Sequence, residues 1–355
     1  MSSLALAPLI LGVAYVTLAD RKGISIFQRR LGPETVGVVG FLQPFSDALK
    51  LLTKELIHPN LSASFLTIWL PLITLGSNLG GYVFLPLGEG TLIVDTTLHV
   101  LATLSLMGLG VHGILYIAWS ASNSFSFIGG VRTVAQIISY ELTLSTSLIL
   151  ICLTSKSLNY HELYQFNSNT WGGMGFLPVI PLYLIAALAE SSRTPFDLPE
   201  AESEIVAGFI TELGATPFVL YFLAEYSSLV LLSILGATIF GSGGNLAFTE
   251  SSLILAAVWA RAVLPRLRYS QLIALGWNSL LPLSTVLVTL FLTYRGSEII
   301  KKPTFLKVSS PKLNIILFLW VPKYLWMFYT CVPPSFEGLI GVFWWVVHSP
   351  GIFFF

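Results

Sequence analysis

Residues 65–86 read FLTIWLPLITLGSNLGGYVFLP, and residues 98–119 read LHVLATLSLMGLGVHGILYIAW. Each stretch approaches the ~20 mainly apolar residues that a helix needs to cross ~30 Å of hydrocarbon. The apolar residues do not alternate with polar ones, as the strands of a membrane barrel would require. Both stretches therefore predict transmembrane helices.

The rest of the chain follows the same pattern. Of its 355 residues 54% are hydrophobic and 10% are charged, and the mean hydropathy is +0.79. A water-soluble domain cannot cover so much apolar surface with so few polar groups. We predict an all-α polytopic membrane protein with about eight transmembrane helices, at 2–20, 65–86, 98–119, 133–153, 176–191, 213–240, 251–264 and 278–295.

Basic residues give an independent test of this topology. With eight spans, the even-numbered loops hold only Lys156. The odd-numbered loops and their helix ends hold Arg21, Lys22, Arg29, Arg30, Lys50, Lys54, Arg132, Arg193, Arg261, Arg266 and Arg268. Because positive charge collects on the cytoplasmic side, the odd loops are expected to face the cytoplasm, or the matrix in a mitochondrion.

Two segments lie outside the predicted spans. Residues 43–59, QPFSDALKLLTKELIHP, place apolar side chains at helical spacing with Asp47, Lys50 and Lys54 on another side. This pattern predicts an amphipathic helix in the membrane interface. After a polar linker at 297–312, two apolar stretches follow at 313–332 and 336–355, so we predict a membrane domain at 1–296 and a C-terminal extension at 297–355 with a possible extra helix.

Carboxylates concentrate in the odd loops and near the spans. Residues 187–212, ALAESSRTPFDLPEAESEIVAGFITE, hold one arginine and the acids Glu190, Asp197, Glu200, Glu202, Glu204 and Glu212, whereas Glu141 and Glu225 lie inside predicted spans. Carboxylates packed with few cations raise one another's pKa values and titrate as a coupled set. The pattern favours a proton path, although a helix dipole at Pro199 explains Glu200 and Glu202, and polar contacts between helices explain buried glutamates.

No metal, phosphate or dinucleotide motif is present. The five histidines lack metal-ligand spacing, and the two cysteines, Cys152 and Cys331, cannot hold an iron–sulfur cluster alone. We therefore expect no metal site and no complete catalytic site in this chain.

Several of these segments together are recognisable. ADRKGISIFQRRLGPETVG (19–37), LQPFSDALKLLTKE (42–55), RTVAQIISYELTL (132–144), LAESSRTPFDLPEAESEIVAGF (188–209), FLAEY (222–226) and RAVLPRLRYSQL (261–272) occur in this order. The chain thereby resembles the family of NADH–ubiquinone oxidoreductase chain 1, the quinone-chamber membrane subunit of respiratory complex I, over residues ~1–295.

The resemblance implies a function and its residues. It implies a proton path through Asp47, Glu55, Glu141, Glu190, Asp197, Glu200, Glu202, Glu204 and Glu225. It implies a quinone tunnel and docking surface that include Arg21, Arg30, Arg132, Arg193, Arg261 and Arg266. Ubiquinone would be the substrate, and NAD, FMN and iron–sulfur clusters would be carried by soluble partner subunits. Antiporter-like membrane subunits and lipids would be further partners, with no nucleic acid. The location implied is the mitochondrial inner membrane, or alternatively a bacterial plasma membrane.

Three features depart from the family pattern. Asp20 stands where the family usually has glutamate, so a contact of that carboxylate would need a bridging water; Ser270 replaces an acid; and the chain continues ~50 residues beyond the eighth span. Other functions remain open: the matching subunit of an energy-converting hydrogenase, a stand-alone transporter, and a passive scaffold. The arginine-rich FQRRLGPETVG segment favours the quinone enzyme over the hydrogenase.

Overall fold

A computed structural model describes residues 2–56, 62–86, 93–169, 178–197, 208–241 and 246–301. Every regular element in these ranges is helical. The chain forms two compact units, Met1–Leu272 and Ile273–Phe355. The predicted C-terminal extension lies outside the described ranges beyond Lys301, and so do Glu200, Glu202 and Glu204.

The first unit contains nine helices in the described ranges. They are α1 (Ser2–Phe27), α2 (Gln43–Leu52), α3 (Ser64–Tyr82), α4 (His99–Ser120), α5 (Ser124–Ser155), α6 (Tyr160–Asn169), α7 (Val179–Glu190), α8 (Ala215–Phe240) and α9 (Leu246–Val263). Short 3₁₀ turns lie at Val38–Gly40 and Gly208–Ile210. Helix α8 packs against α3, α7 and α9, while α4 lies between α3 and α5. Helix α1 contacts α8 and α9, which brings the first helix beside the last ones of this unit.

The second unit continues from α10 (Tyr269–Ala274), which crosses the boundary between the units. A π-helical segment at Leu275–Leu280 follows and leads into α11 (Leu281–Lys301). Residues 297–301, part of the predicted linker, therefore continue α11.

Each of the eight predicted spans contains a helix. Five of the described helices are long and apolar enough to cross a membrane: His99–Ser120, Ser124–Ser155, Ala215–Phe240, Leu246–Val263 and Tyr269–Tyr294. The predicted all-α polytopic membrane fold is confirmed, and the number of eight crossings stays a prediction. The predicted amphipathic helix is α2, which exposes Phe45, Leu49 and Leu52.

Two helix boundaries differ from the prediction for a physical reason. Helix α1 continues to Phe27, so Asp20, Arg21 and Lys22 lie on its last turns instead of in a loop. Helix α5 begins after Asn123, whose side chain caps it by accepting a hydrogen bond from the backbone N–H of Phe125 at 3.1 Å. Its 32 residues reach about 48 Å, longer than the hydrocarbon layer, which leaves room for Arg132 near one end.

A close backbone contact holds the start of α5. A Cβ atom on Gly129 would lie 2.6 Å from the Cα atom of Gly208, so only glycine fits there. This contact ties α5 to the 3₁₀ turn that precedes α8, and the first turns of both helices meet in the region where the charged residues cluster.

Candidate functional site

A buried charged cluster lies where α1, α8, α9 and the segment after α7 meet. The Nε atom of Arg193 is 3.3 Å from Oε1 of Glu225, and its Nη1 atom is 3.7 Å from Oδ2 of Asp20. Arg261 also binds Oδ2 of Asp20, and Tyr226 donates a hydrogen bond to the same oxygen at 3.0 Å. Arg193, Glu225, Asp20 and Tyr226 each expose less than a tenth of their surface. We call Asp20, Arg193, Glu225, Tyr226 and Arg261 the Arg193 cluster.

The cluster balances its formal charges. Two carboxylates, Asp20 and Glu225, face two guanidinium groups, Arg193 and Arg261. Burial acts to lower the pKa of Arg193, but Glu225, Tyr226 and Asp20 outweigh that effect and raise its pKa above the ordinary value. The guanidinium therefore stays charged, and it lies over the ring of Tyr226 with 3.8 Å between its Cζ atom and the ring centroid.

Hydrogen bonds from the neighbouring helix place Arg193 inside the protein. Gln136 on α5 donates to the carbonyl of Ala189 at 3.0 Å and to that of Phe196 at 2.8 Å, which holds both ends of the turn after α7. Ser192 has a left-handed φ of 51°, uncommon for a residue other than glycine. The backbone N–H of Leu267 also donates to the carbonyl of Pro195 at 3.1 Å. The turn is thus fixed from two sides, and Arg193 is directed toward α1 and α8.

Replacing Tyr226 by phenylalanine tests how the cluster depends on one hydrogen bond. The variant keeps the ring over Arg193 but removes the donor to Asp20, and losing a hydrogen bond to a charged group costs about 1.5–3 kcal/mol. We expect a lower midpoint of thermal unfolding in the purified protein. Tyr164→Phe on α6 serves as the control, and equal midpoints for both variants would show that the Asp20 contact is unimportant.

A small cavity connects this cluster with Glu190. Its volume is about 50 Å³, enough for a few water molecules, and Glu190 and Glu225 both line it. Polar side chains of Thr74, Asn78 and Ser228 complete the polar part of the lining. Oε2 of the buried Glu190 has no hydrogen-bond partner among the residues that the structure describes. A proton acceptor therefore faces a space that water can enter.

Glu141 lies on the next helix. Its carboxylate covers Gly108 on α4, because a Cβ atom there would lie 3.1 Å from Oε1 of Glu141. A larger residue at 108 would push the carboxylate away. Glu141, Glu190 and Glu225 thus lie on α5, α7 and α8, helices that pack against one another in the order α5, α7, α8.

The remaining predicted residues are distributed around this centre. Asp197 is buried and pairs with Arg266 at 3.1 Å. Asp47 pairs with Arg21 at 2.7 Å and accepts a hydrogen bond from Gln43 at 2.9 Å, on the exposed side of α2.

Glu55 is exposed beyond the end of α2. Arg30 donates to Gln28 at 2.7 Å on the surface. Arg132 lies over the ring of Tyr269, with 5.5 Å from its Cζ atom to the ring centroid. The structure therefore brings together Arg193, Arg261, Glu225 and Glu190, and it separates Asp47, Glu55, Arg21 and Arg30 from them.

Sequence reasoning missed two members of the cluster. Asp20 was treated as a departure whose contact would need a water, yet its carboxylate reaches Arg261 and Tyr226 directly. Tyr226 was quoted within FLAEY without a role of its own. A usable signal for Asp20 was its place on the last turns of an apolar helix, where an unpaired carboxylate is costly.

The described ranges contain no group of three or more His, Cys, Asp or Glu side chains that could hold a metal ion. Their chemistry is that of ion pairs, a buried carboxyl and a small hydrated space. Fold and site together define an all-helical membrane protein with buried ionisable groups, the class to which proton- and ion-coupled membrane complexes belong.

Comparison with known proteins makes this class specific. A model of the family described as NADH dehydrogenase matches residues 1–292. NADH-ubiquinone oxidoreductase chain 1 of Mycosarcoma maydis is 42% identical over 304 residues, covering 80% of this chain and 92% of that protein. The chain 1 protein of Chondrus crispus is 39% identical over 299 residues, with 80% and 92% covered. An NADH-quinone oxidoreductase subunit of Rickettsia africae is 40% identical over 309 residues, with 81% and 91% covered. The chain belongs to the NADH dehydrogenase family.

Proposed function

We propose that this chain is a core membrane subunit of respiratory complex I. It lines the approach of ubiquinone and connects quinone reduction to proton translocation through buried carboxylates. The observation that carries the proposal is the cavity that joins Glu190 to the Arg193 cluster. The relatives named above are mitochondrial chain 1 proteins and a bacterial NADH-quinone oxidoreductase subunit, which supports the same role here.

The chain contributes residues to the enzyme without forming a complete redox site. Ubiquinone is its substrate, while NAD, FMN and iron–sulfur clusters are carried by soluble partner subunits. Arg21, Arg30, Arg132 and Arg266 form part of the tunnel and its docking surface toward those partners, and antiporter-like membrane subunits receive the proton-coupled change. We place the protein in the mitochondrial inner membrane, with a bacterial plasma membrane as the alternative.

The geometry supports a specific course of events. The Arg193 cluster joins helix α1, whose last turns carry the predicted tunnel residue Arg21, to helix α8, which carries Glu225. Movement of Arg193 away from Glu225 would leave a buried carboxylate without its cation, which favours uptake of a proton. Water in the cavity could then exchange that proton with Glu190, and Glu141 extends the acidic path along α5.

Replacing Glu141 by glutamine tests the proton path. Glutamine keeps the size and hydrogen-bonding capacity of the side chain but cannot exchange a proton, so we expect assembly of the complex with a lower proton-to-electron ratio. The measurement is proton uptake during NADH oxidation in reconstituted vesicles. Glu162→Gln on α6 is the control, and full stoichiometry in the Glu141 variant would remove Glu141 from the path.

A hydrogenase subunit is the second candidate function. The relatives named above are NADH–quinone enzymes, which does not favour it. Inhibition of the native complex by quinone-site inhibitors distinguishes the two, because a hydrogenase needs no long quinone tunnel.

We also propose that residues 297–355 form an extension beyond a membrane domain at 1–296. The family match ends at residue 292, and the chain continues to residue 355.

A further inference from the structure

Helix α4 exposes a stripe of side chains along its length. The exposed positions are Leu101, Ser105, Leu109, His112, Tyr116 and Trp119. They recur every three or four residues, so they lie on one side of the helix. We call these residues the α4 face.

His112 lies deep within this face. At 1.5 Å per residue it is roughly 20 Å along the axis from His99 and roughly 12 Å from Ser120, within the hydrocarbon layer if α4 crosses the membrane. The imidazole is exposed in the described part of the chain. Ionisable side chains in membrane-spanning helices almost always face protein or a water-filled space, because hydrocarbon offers them no hydrogen bonds.

One ring nitrogen of His112 is already bound, and this fixes what the other needs. Nδ1 lies 3.0 Å from the carbonyl oxygen of Gly108. A carbonyl oxygen only accepts, so Nδ1 carries the hydrogen, and Nε2 of the neutral ring is a hydrogen-bond acceptor. No described residue forms a hydrogen bond with Nε2. The missing partner must therefore be a donor.

The exposed side of α5 shows what a surface suited to lipid looks like in this protein. Its exposed residues in the same membrane region are Val131, Ile138, Leu142, Ile149 and Leu153. All are aliphatic and lie close to a single line along the helix. The α4 face differs because Ser105, His112 and Tyr116 interrupt its apolar residues.

We propose that the α4 face, centred on His112, is the contact surface for a transmembrane helix of a neighbouring subunit. That helix donates a hydrogen bond to Nε2 from a hydroxyl group or a protonated carboxyl group. The inference rests on the proposed function, because that function supplies other membrane subunits as neighbours. Hydrogen bonds of this kind, with apolar packing around them, are the ordinary means by which transmembrane helices associate.

The structure of the native complex, determined by electron cryo-microscopy after purification with its lipids, tests the contact. We expect a transmembrane helix of another subunit along the α4 face, with a hydroxyl or carboxyl oxygen within hydrogen-bonding distance of Nε2. Lipid acyl chains against His112 in an intact complex would overturn this inference and leave the proposed function standing. Purification of the chain without any other membrane subunit would refute both.

Two substitutions give a second test. His112→Leu removes the acceptor, and we expect the ratio of complete complex to subcomplex on native gels to fall about threefold, as the loss of one interhelical hydrogen bond predicts. His112→Gln keeps an acceptor and should retain most of the complete complex. Because leucine is favoured against lipid, a His112→Leu variant that assembles as well as the wild type would contradict the proposed contact.

Discussion

Replacing Arg193 by methionine should nearly abolish accumulation of the assembled complex. The change leaves Asp20 and Glu225 buried with one cation fewer, and Glu225 loses the guanidinium 3.3 Å away. Removing one partner of a buried ion pair typically costs about 3–5 kcal/mol, a large part of the roughly 5–15 kcal/mol that stabilises a folded protein. The measurement is the amount of complete complex on native gels, together with its temperature of inactivation.

Arg21→Met is the matched control for this experiment. Arg21 pairs with Asp47 at 2.7 Å, but its side chain is 53% exposed, and exposed pairs contribute about 0–1 kcal/mol. We therefore expect nearly normal assembly. In a double variant, Glu225→Gln should restore part of the stability lost with Arg193→Met, because it removes the uncompensated charge. Equal abundance of the Arg193 and Arg21 variants would contradict the central place of the Arg193 cluster.

Replacing Glu190 by glutamine should have the largest effect on coupled activity. Glu190 is buried and lines the cavity shared with Glu225, so it is the acid best placed to exchange protons with water there. Proton transfer by a positioned side chain typically contributes about 10²–10⁴-fold to a rate. We expect the complex to assemble and proton-coupled NADH:ubiquinone reductase activity to fall by about 100-fold.

Two comparisons make the result for Glu190 interpretable. Glu212→Gln changes a carboxylate that accepts a hydrogen bond from Asn123 at 2.9 Å, away from the cavity lining, and we expect it to retain activity. Electron transfer from NADH to a soluble acceptor should be unchanged in the Glu190 variant, since its own site lies in the partner subunits. Normal proton pumping in Glu190→Gln would exclude this carboxyl from the path.

The α5 region shows how far local sequence signals reach. The apolar run at 133–153 predicted a helix there, and the helix exists, but its start at Ser124 depends on the Asn123 cap and on the contact of Gly129 with Gly208. Gly208 lies 79 positions further along the chain, so a local pattern contains no information about that contact. Arg132 was consequently assigned to a loop although it lies inside the helix.

The candidate site shows a similar division. The excess of acids over Arg193 in residues 187–212 indicated an unusual region from composition alone. Their pairing could not be predicted, because Asp20 and Tyr226 are separated by about 200 positions in the chain and yet share a hydrogen bond of 3.0 Å. Asp197, expected in the proton path with Glu190, instead pairs with Arg266.

For this protein the sequence by itself determined the helical membrane class, because hydrocarbon admits only segments whose backbone groups are satisfied internally and whose side chains are mainly apolar. It also pointed to the acidic region, since so many carboxylates beside one arginine are costly near a membrane. Only the tertiary structure decided which acid meets which cation and which carboxyl faces the cavity. Those choices depend on distances of a few ångströms between helices far apart in the chain, where the energy of a charge changes steeply with its neighbours.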